Sequence, residues 1–191
     1  MKLKDIQYTI ESFTKAAIRA QKTGFDCIEI LGNAGYLISQ FFSPLTNKRT
    51  DDFGGSLTRR MKFGLEIVDA LRSGVGNDFP IIMRLSGNEF MPGGQTNKEM
   101  TLFAAELEKR GVDAFDITGG WHESKVPQVT MDLPRGAFVY IAKGVKKAVS
   151  KPVIACNRIN DPELANKVIQ QGRADMVGLA RGLLADPQFP N

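Results

Sequence analysis

Apolar and polar positions follow two alternating patterns along the chain, and the alternation predicts the fold class. Short apolar runs rich in β-branched residues recur, and longer stretches with apolar residues at helical spacing separate them. Runs that are apolar throughout are typical of parallel strands with both faces covered, so the chain is expected to be α/β with repeated βα units. The predicted strands are 27–31, 80–85, 114–118, 152–156 and 175–179.

The intervals between these runs predict helices, several with recognisable ends. Thr96 and Glu99 form a capping box, in which each side chain satisfies a backbone donor of the other. Asp161 precedes Pro162, the order of an N-cap and a first-turn proline. The predicted helices are 5–23, one after the N-cap Ser56 to about 73, one from Thr96 to before Gly111, about 138–149 and 162–171.

One connection is longer than an ordinary turn. Residues 39–55 follow the first predicted strand and contain many polar residues, Pro44 and the pair Gly54-Gly55. Irregular segments of this length are uncommon in compact domains and usually functional. We therefore expect this loop to help build a site.

Polar or glycine residues follow every predicted strand. The carboxyl ends of parallel strands meet at one edge, which is the catalytic face of a (β/α)₈ barrel or the crest of an open doubly wound sheet. A complete barrel needs eight strands and about 250 residues, whereas five strands are visible here. The residues at this edge are Gly32 to Tyr36, Arg84, Ser86, Gly119 to Glu123, Asn157, Arg158 and Arg181.

Composition narrows the class of protein. The net charge is +4 and the basic residues are scattered, which gives no indication of a nucleic-acid partner. Cys27 and Cys156 fall inside predicted strands, so both are expected to be buried, reduced thiols. No signal peptide and no apolar run of about 20 residues is visible, which predicts a cytoplasmic protein without a membrane partner.

The long loop carries a family resemblance. Gly35-Tyr36-Leu37 and the segments that follow it resemble the Old Yellow Enzyme family of flavin-dependent ene reductases. The segment Gly119 to Ser124 narrows this to the branch of 2,4-dienoyl-CoA reductase and 2-enoate reductase. The resemblance covers residues from about 12 to 190. The segments that carry it are Gln40-Phe41, Ser43-Pro44, Thr46 to Asp51, and Phe53 to Ser56 with Arg60.

The resemblance implies a partial TIM barrel. The five strands correspond to the fourth to eighth of the family's barrel, so the chain is expected to be a single FMN-binding domain, 1–191, without the first three strands. An open array exposes two strand edges, so a missing barrel segment or an oligomer partner is expected to cover them. The full-length branch also carries a 4Fe-4S cluster, FAD and NAD(P)H, whose sites are not expected on this chain.

Two residues have catalytic roles implied by the resemblance. Tyr36 corresponds to the proton donor, and a phenol suits this role because it is neutral at pH 7. His122, the sole histidine, corresponds to the residue that holds the substrate carbonyl and assists protonation. Neighbouring Glu123, Ser124 and Lys125 are the further candidates for substrate binding. With no second histidine and no acidic cluster, a catalytic zinc site is not expected.

The cofactor candidates lie at the ends of other strands. A guanidinium inside an apolar strand needs a partner. For Arg84 that partner is either the pyrimidine edge of a flavin, as in the family, or a carboxylate at a strand end. Residues after the last two strands correspond to the family's FMN-phosphate site, although Asn157 stands where many members have glycine. These residues are Asn157, Arg158, Ala180 and Arg181.

Three positions depart from the family pattern and bear on the substrate. Leu31 and Ala34 replace the pair that holds a carbonyl in classical members, so this role passes to His122. Leu45 replaces an arginine of the coenzyme A enzymes. The sequence therefore does not decide whether the substrate is an enoate, a dienoyl thioester or an enone.

The prediction is an FMN-dependent NAD(P)H ene reductase with a small-molecule alkene substrate. Two alternatives remain: a non-catalytic half-barrel that binds no flavin, and a non-flavin barrel that binds a phosphorylated metabolite.

Overall fold

The computed structural model describes residues 1–126, 128 and 130–191. Strands and helices alternate through this part of the chain. The strands are β1 (Ile28–Gly32), β2 (Ile81–Ser86), β3 (Ala114–Thr118), β4 (Val153–Ala155) and β5 (Met176–Val177). The helices are α1 (Leu3–Lys22), α2 (Leu37–Phe42), α3 (Leu57–Val75), α4 (Asn97–Lys109), α5 (Val139–Lys146), α6 (Pro162–Gln170) and α7 (Arg181–Ala185).

The five strands form one parallel sheet in the order β1-β2-β3-β4-β5. The prediction of an α/β fold with βα units is therefore confirmed, and the arrangement is part of a (β/α)₈ barrel. In the register of the sheet, Leu31 lies beside Arg84 and Arg84 beside Asp116. Within this chain β1 and β5 are the two edges of the sheet.

The two faces of the sheet differ in burial. The outer face packs against the helices and its side chains, such as Ile81, Met83 and Phe115, are fully buried. On the inner face Leu31 is 43% exposed and Met176 is 44% exposed. Side chains of a strand alternate between faces, so the inner face also presents the polar residues of the central strands. The apolar core therefore lies between helices and sheet.

The three predicted N-caps are confirmed. The Ser56 hydroxyl accepts a hydrogen bond from the Arg59 backbone N–H at 3.4 Å, and Asp161 accepts one from the Leu164 N–H at 3.0 Å. Thr96 and Glu99 form both bonds of the capping box. These side chains satisfy backbone donors that have no partner within the helix.

Three local predictions were wrong. Cys27 is exposed and precedes β1, because the strand begins at Ile28, whose N–H donates to the Pro80 carbonyl at 3.1 Å. Part of the long loop forms α2, because Ile38, Phe41 and Phe42 recur at helical spacing and are buried. The last strand is shorter than predicted, with only Met176–Val177 in the sheet.

Cys156 is buried, as predicted. The connection between β3 and α5 includes positions 127 and 129, which lie outside the described residues. Among the residues that the structure describes, no helix combines the length and the apolar character needed to cross a membrane.

Candidate active site

Buried hydrogen bonds tie together the carboxyl ends of the first three strands. The Ser86 hydroxyl, at the end of β2, donates to the Gly120 carbonyl at 2.8 Å and accepts from the Ala34 N–H at 2.9 Å. Asn33 donates to the Thr118 hydroxyl at 3.0 Å. A short parallel bridge joins Ala34 to Trp121. The loops after β1 and β3 therefore meet across the end of β2.

The contact between these two loops depends on Gly35. Its φ is +87°, a left-handed conformation that favours glycine. A Cβ atom at this position would lie 1.3 Å from Nε1 of Trp121, so the indole occupies the space that any side chain would need. Because of this close approach, the chain continues directly to Tyr36 beside the loop after β3.

The structure brings Tyr36 and His122 together. Their ring centroids are 5.3 Å apart and the ring planes are nearly perpendicular, at 87°. Tyr36 is 48% exposed and His122 is exposed, so both rings are accessible. Phenol and imidazole can each donate a proton or a hydrogen bond. This pair can therefore serve one small molecule with two donors.

The other predicted substrate residues lie in the turn after His122. The Ser124 N–H donates to the Trp121 carbonyl at 3.0 Å, and the Ser124 hydroxyl accepts from the Val126 N–H at 3.2 Å. Glu123 and Lys125 are exposed. The turn holds all three beside His122, and their role in substrate binding stays a prediction.

A cavity of about 690 Å³ opens at the carboxyl ends of the strands. Its volume lies within the range of cofactor and ligand sites. Asp116 and Cys156 line it together with the five residues predicted to bind the cofactor. Those five are Arg84, Asn157, Arg158, Ala180 and Arg181.

The turn after β4 has an unusual backbone. Asn157 and Arg158 have φ values of 68° and 58°, both left-handed. Asn157 accepts from the Gly119 N–H at 3.4 Å, and Arg158 Nε donates to the Leu133 carbonyl at 3.0 Å. These bonds hold the turn against the loop after β3. A left-handed backbone favours glycine at position 157. Asparagine can replace it because asparagine tolerates this conformation better than most residues.

Arg84 lies between two carboxylates on the inner face. Its Nη1 is 3.5 Å from Oε1 of Glu29 and its Nε is 3.4 Å from Oδ2 of Asp116. The buried Nε makes no hydrogen bond within the protein. The carboxylate partner considered from the sequence is thus present, and Arg84 also lines the cavity.

Glu29 and Asp116 were missed as site residues by the sequence analysis. Each is the one acidic residue inside an apolar strand, Ile28–Gly32 and Ala114–Thr118. A charge inside such a run is costly to bury without a partner. This signal was available in the sequence, although it does not reveal which residue the carboxylate meets.

The thiol of Cys156 completes the polar group. It donates to Asp116 Oδ1 at 2.7 Å. Burial, reinforced by the Asp116 carboxylate, raises the pKa of the Cys156 thiol far above its ordinary value. The sulfur therefore stays protonated at neutral pH, and it acts as a hydrogen-bond donor rather than a nucleophile.

The residues of the cavity fit FMN. The phosphate of FMN needs cationic or backbone N–H donors, and arginines line the end of the cavity near α7. The pyrimidine edge of its ring system offers acceptors, which suit the half-exposed guanidinium of Arg84 that lines the cavity. Among the described residues there is no group of three or more His, Cys, Asp or Glu side chains that could hold a metal ion.

A parallel βα array with an arginine-lined cavity at the carboxyl ends of its strands is typical of barrel enzymes that bind a phosphorylated ligand. The model of the NADH:flavin oxidoreductase / NADH oxidase family matches residues 1–191. The chain belongs to this family.

Two curated relatives match nearly all of the chain. It is 60% identical over 182 residues to a metal reductase of Desulforamulus reducens, covering 95% of this chain and 27% of the relative. It is 44% identical over 189 residues to an NADH oxidase of Thermoanaerobacter brockii, covering 98% of this chain and 29% of the relative. The chain thus spans less than a third of either protein.

A solved structure of 2-naphthoyl-CoA reductase in complex with 2-naphthoyl-CoA superposes on the whole chain. The TM-score is 0.96 at 37% sequence identity, and the match covers 100% of this chain and 29% of the other. The element order described above is therefore shared with one segment of that larger protein.

Proposed function

We propose that this chain is the catalytic segment of an FMN-dependent NAD(P)H ene reductase that acts on an activated C=C bond. The observation that carries the proposal is the contact between Tyr36 and His122, with ring centroids 5.3 Å apart at the same end of the sheet as the cavity. Family membership supports flavin chemistry in general. The two donors support reduction of a carbon–carbon double bond in particular.

The two residues have separate tasks in the proposed reaction. His122 donates a hydrogen bond to the substrate carbonyl oxygen, on which negative charge develops as the alkene is reduced. Tyr36 gives its phenolic proton to the carbon that becomes carbanion-like. The perpendicular arrangement keeps the rings adjacent without stacking them, so one conjugated carbonyl compound can reach both donors.

The cavity provides the cofactor site in this proposal. Arg84 binds the pyrimidine edge, and the turn and helix start with Asn157, Arg158, Ala180 and Arg181 bind the phosphate. When bound, FMN would supply the hydride from N5 to the β- or δ-carbon of the substrate. Hydrogen bonds from Arg158 Nε to the Leu133 carbonyl and from the Gly136 N–H to the Arg158 carbonyl hold the turn after β4 in place.

The proposed substrates are enoates, dienoyl thioesters and enones. Leu31 and Ala34 have no side-chain donor, so in this proposal His122 is the residue that donates a hydrogen bond to the substrate carbonyl. The solved relative contains an aromatic acyl-CoA thioester, which supports a conjugated thioester. Leu45 is aliphatic where coenzyme A enzymes have arginine, which favours a substrate without the coenzyme A phosphates.

We further propose that a missing barrel segment, or an oligomer partner, covers the exposed inner face and the edges at β1 and β5. Leu31 and Met176 are more exposed than apolar residues in the core of a sheet. The NAD(P)H, FAD and 4Fe-4S sites of the branch belong to regions outside this chain. A yellow, FMN-containing purified protein would distinguish this function from a non-catalytic fragment or a non-flavin barrel.

The first prediction concerns the two donors in the FMN-bound protein. Tyr36→Phe removes the proton donor and should slow alkene reduction about 10²-fold or more. His122→Ala should slow it by about 10²- to 10³-fold, the scale of losing one donor to a developing oxyanion. Flavin reduction by NAD(P)H should continue in both variants. Stopped-flow measurement of the two half-reactions separates these effects.

The matched control is Tyr140→Phe, which changes an exposed tyrosine on α5. It should leave both half-reactions as they are. If Tyr36→Phe slowed flavin reduction and alkene reduction equally, Tyr36 would be structural, and the proposed role of the pair would be wrong.

A second candidate function is reduction of a metal ion as substrate, favoured by the 60% identity to a metal reductase. Electron transfer to a metal ion requires no proton at carbon, so it does not need Tyr36. Tyr36→Phe should then leave metal reduction unchanged while alkene reduction falls. Absence of alkene reduction in the unsubstituted protein, with rapid metal reduction, would favour this function over the first.

A further inference from the structure

Four polar side chains form a row across the inner face of the sheet. Neighbouring strands or their ends contribute one each: Glu29 from β1, Arg84 from β2, Asp116 from β3 and Cys156 after β4. Three of the four line the cavity, while Glu29 lies next to it through Arg84. The row therefore links an edge strand of the sheet to the proposed cofactor site.

The contacts within the row place Arg84 at its centre. Asp116 is the direct cross-strand neighbour of Arg84 and its side chain is 8% exposed, while the side chain of Glu29 is 37% exposed. Distances of 3.4 and 3.5 Å join the guanidinium to the two carboxylates. Asp116 is held in addition by the Cys156 thiol at 2.7 Å. Arg84 thus has one fixed and one more solvent-accessible counterion.

The charge of the row depends on the protonation of Glu29. Burial raises the pKa of Glu29, the Asp116 carboxylate raises it further, and Arg84 opposes both. The charged or titratable groups that face Glu29 from the described strands are Arg84, Asp116 and the protonated Cys156. With both carboxylates ionised, one positive and two negative charges leave the row negative. Protonation of Glu29 makes it neutral.

We propose that Glu29 and Asp116 are the counterions that set how much positive potential Arg84 presents to the cofactor, with Glu29 as the adjustable member of the pair. The inference rests on the proposed FMN site, because it concerns the arginine assigned to the pyrimidine edge. Glu29 does not line the cavity and acts through Arg84, whereas Asp116 lines the cavity beside Arg84.

The direction of the effect follows from the charges. Reduction of FMN adds negative charge to the ring system, which a positive neighbour stabilises and a negative neighbour destabilises. Ionised Glu29 offsets Arg84 and lowers the affinity for reduced FMN relative to oxidised FMN. When Glu29 is protonated, less of the positive charge of Arg84 is offset, and the ratio of the affinities for reduced and oxidised FMN rises. The preference for reduced FMN should therefore fall as the pH rises through the titration of Glu29.

The test is the reduction potential of FMN in the full-length holoenzyme, measured against a reference dye from pH 5 to 9. The difference between this potential and that of free FMN at the same pH reports the ratio of affinities for reduced and oxidised FMN. Glu29→Gln should raise this ratio about tenfold at the alkaline end, the scale of removing one nearby charge. Its effect should shrink toward the acidic end, as Glu29 takes up a proton.

A second variant and a control complete the experiment. Asp116→Asn removes the carboxylate that raises the Glu29 pKa, so the pH at which the ratio changes should move down. This variant carries the test if Glu29→Gln does not fold. Glu106→Gln, which changes a carboxylate on α4 that pairs with Lys109, should leave the ratio unchanged at every pH.

A double-mutant cycle tests whether Glu29 acts through Arg84. In an Arg84→Met background, Glu29→Gln should no longer change the ratio. The inference would be wrong if FMN bound and the ratio stayed unchanged in both carboxylate variants. It would also be wrong if Glu29→Gln had the same effect with and without Arg84. Neither result would contradict the proposed function. A full-length protein that binds no FMN would remove the proposed function and this inference with it.

Discussion

At the scale of single residues, the site depends on a glycine that makes room for an aromatic ring. Gly35 has a left-handed backbone, and its missing side chain gives the Trp121 indole its place. This backbone geometry places the neighbouring Tyr36 beside the loop after β3. The interior carboxylate of Glu89, which is 1% exposed, accepts hydrogen bonds from the Ser43 hydroxyl at 2.9 Å and from the Gln95 N–H at 2.8 Å.

The prediction at this scale is that Gly35→Ala displaces Trp121. The new methyl group would overlap Nε1, so the indole must move and Tyr36 must shift from His122. Trp121 is the sole tryptophan, and its fluorescence reports the movement directly. We expect a changed emission maximum together with a loss of alkene reduction of about 10²-fold, the scale of losing a positioned proton donor.

Gly55→Ala is the matched control for that substitution. Gly55 also has a left-handed backbone, with φ of +82°, but a Cβ atom there would meet nothing within 4 Å. It should cost about 1 to 2 kcal/mol through the backbone alone, with unchanged tryptophan emission. Equal emission spectra for the two variants would contradict the steric role of Gly35.

At the scale of elements, helix ends are fixed by side chains that the sequence identifies. Asp161 caps α6 through the Leu164 N–H and also pairs with Arg135 at 2.7 Å. The hydrogen bond from Leu164 lowers the pKa of Asp161, burial opposes this, and Arg135 lowers it further. A carboxylate whose pKa is lower in the folded protein stabilises the fold above its ordinary pKa. That stabilisation is lost as the pH falls through the folded value.

The prediction at this scale is a difference in pH dependence for Asp161→Asn. Asparagine retains an acceptor for the cap but has no charge. The unsubstituted protein should be more stable than the variant at pH 7, and the difference in melting temperature should shrink as the pH falls below 4. Glu163→Gln, an exposed carboxylate in the same first turn, serves as control. A melting-temperature difference that is constant with pH would show that the charge of Asp161 does not matter.

At the scale of the whole molecule, Arg72 joins elements at the end of the sheet opposite the site. Its guanidinium donates to the Gly76 and Phe79 carbonyls at 2.8 Å, to the Gly111 carbonyl, and to Asp113 at 2.6 Å. Asp113 in turn accepts from the Ile81 N–H at 2.9 Å. One side chain therefore links the end of α3 with the starts of β2 and β3.

The prediction at this scale is that Arg72→Met lowers the free energy of unfolding by about 2 to 4 kcal/mol, because it leaves carbonyls and a carboxylate without their donor. Arg110→Met is the control, since the Arg110 pair with Asp69 is more than 40% exposed on both sides and should be worth less than about 1 kcal/mol. Denaturant unfolding measures both. Equal losses would mean that Arg72 is not a structural link.

The sequence by itself determined the order and type of most elements. Apolar runs, the capping box at Thr96 and the N-caps at Ser56 and Asp161 are local signals, and local hydrogen bonds confirm them. Motif resemblance supplied the family, which the family model confirms. The exposure of Cys27 was not predicted, because the end of a strand depends on its pairing with the neighbouring strand. Helix α2 was not predicted, because its few apolar residues at helical spacing are followed by a long polar segment.

Tertiary structure alone decided which distant residues meet. Nothing local places Tyr36 5.3 Å from His122; parallel pairing of three strands and the small volume of Gly35 do so. Likewise Glu29, Arg84 and Asp116 each show as a charge inside an apolar run, and only the register of the sheet makes them one group. Local sequence fixes what each segment can form, whereas contacts between segments depend on how the strands align across the sheet.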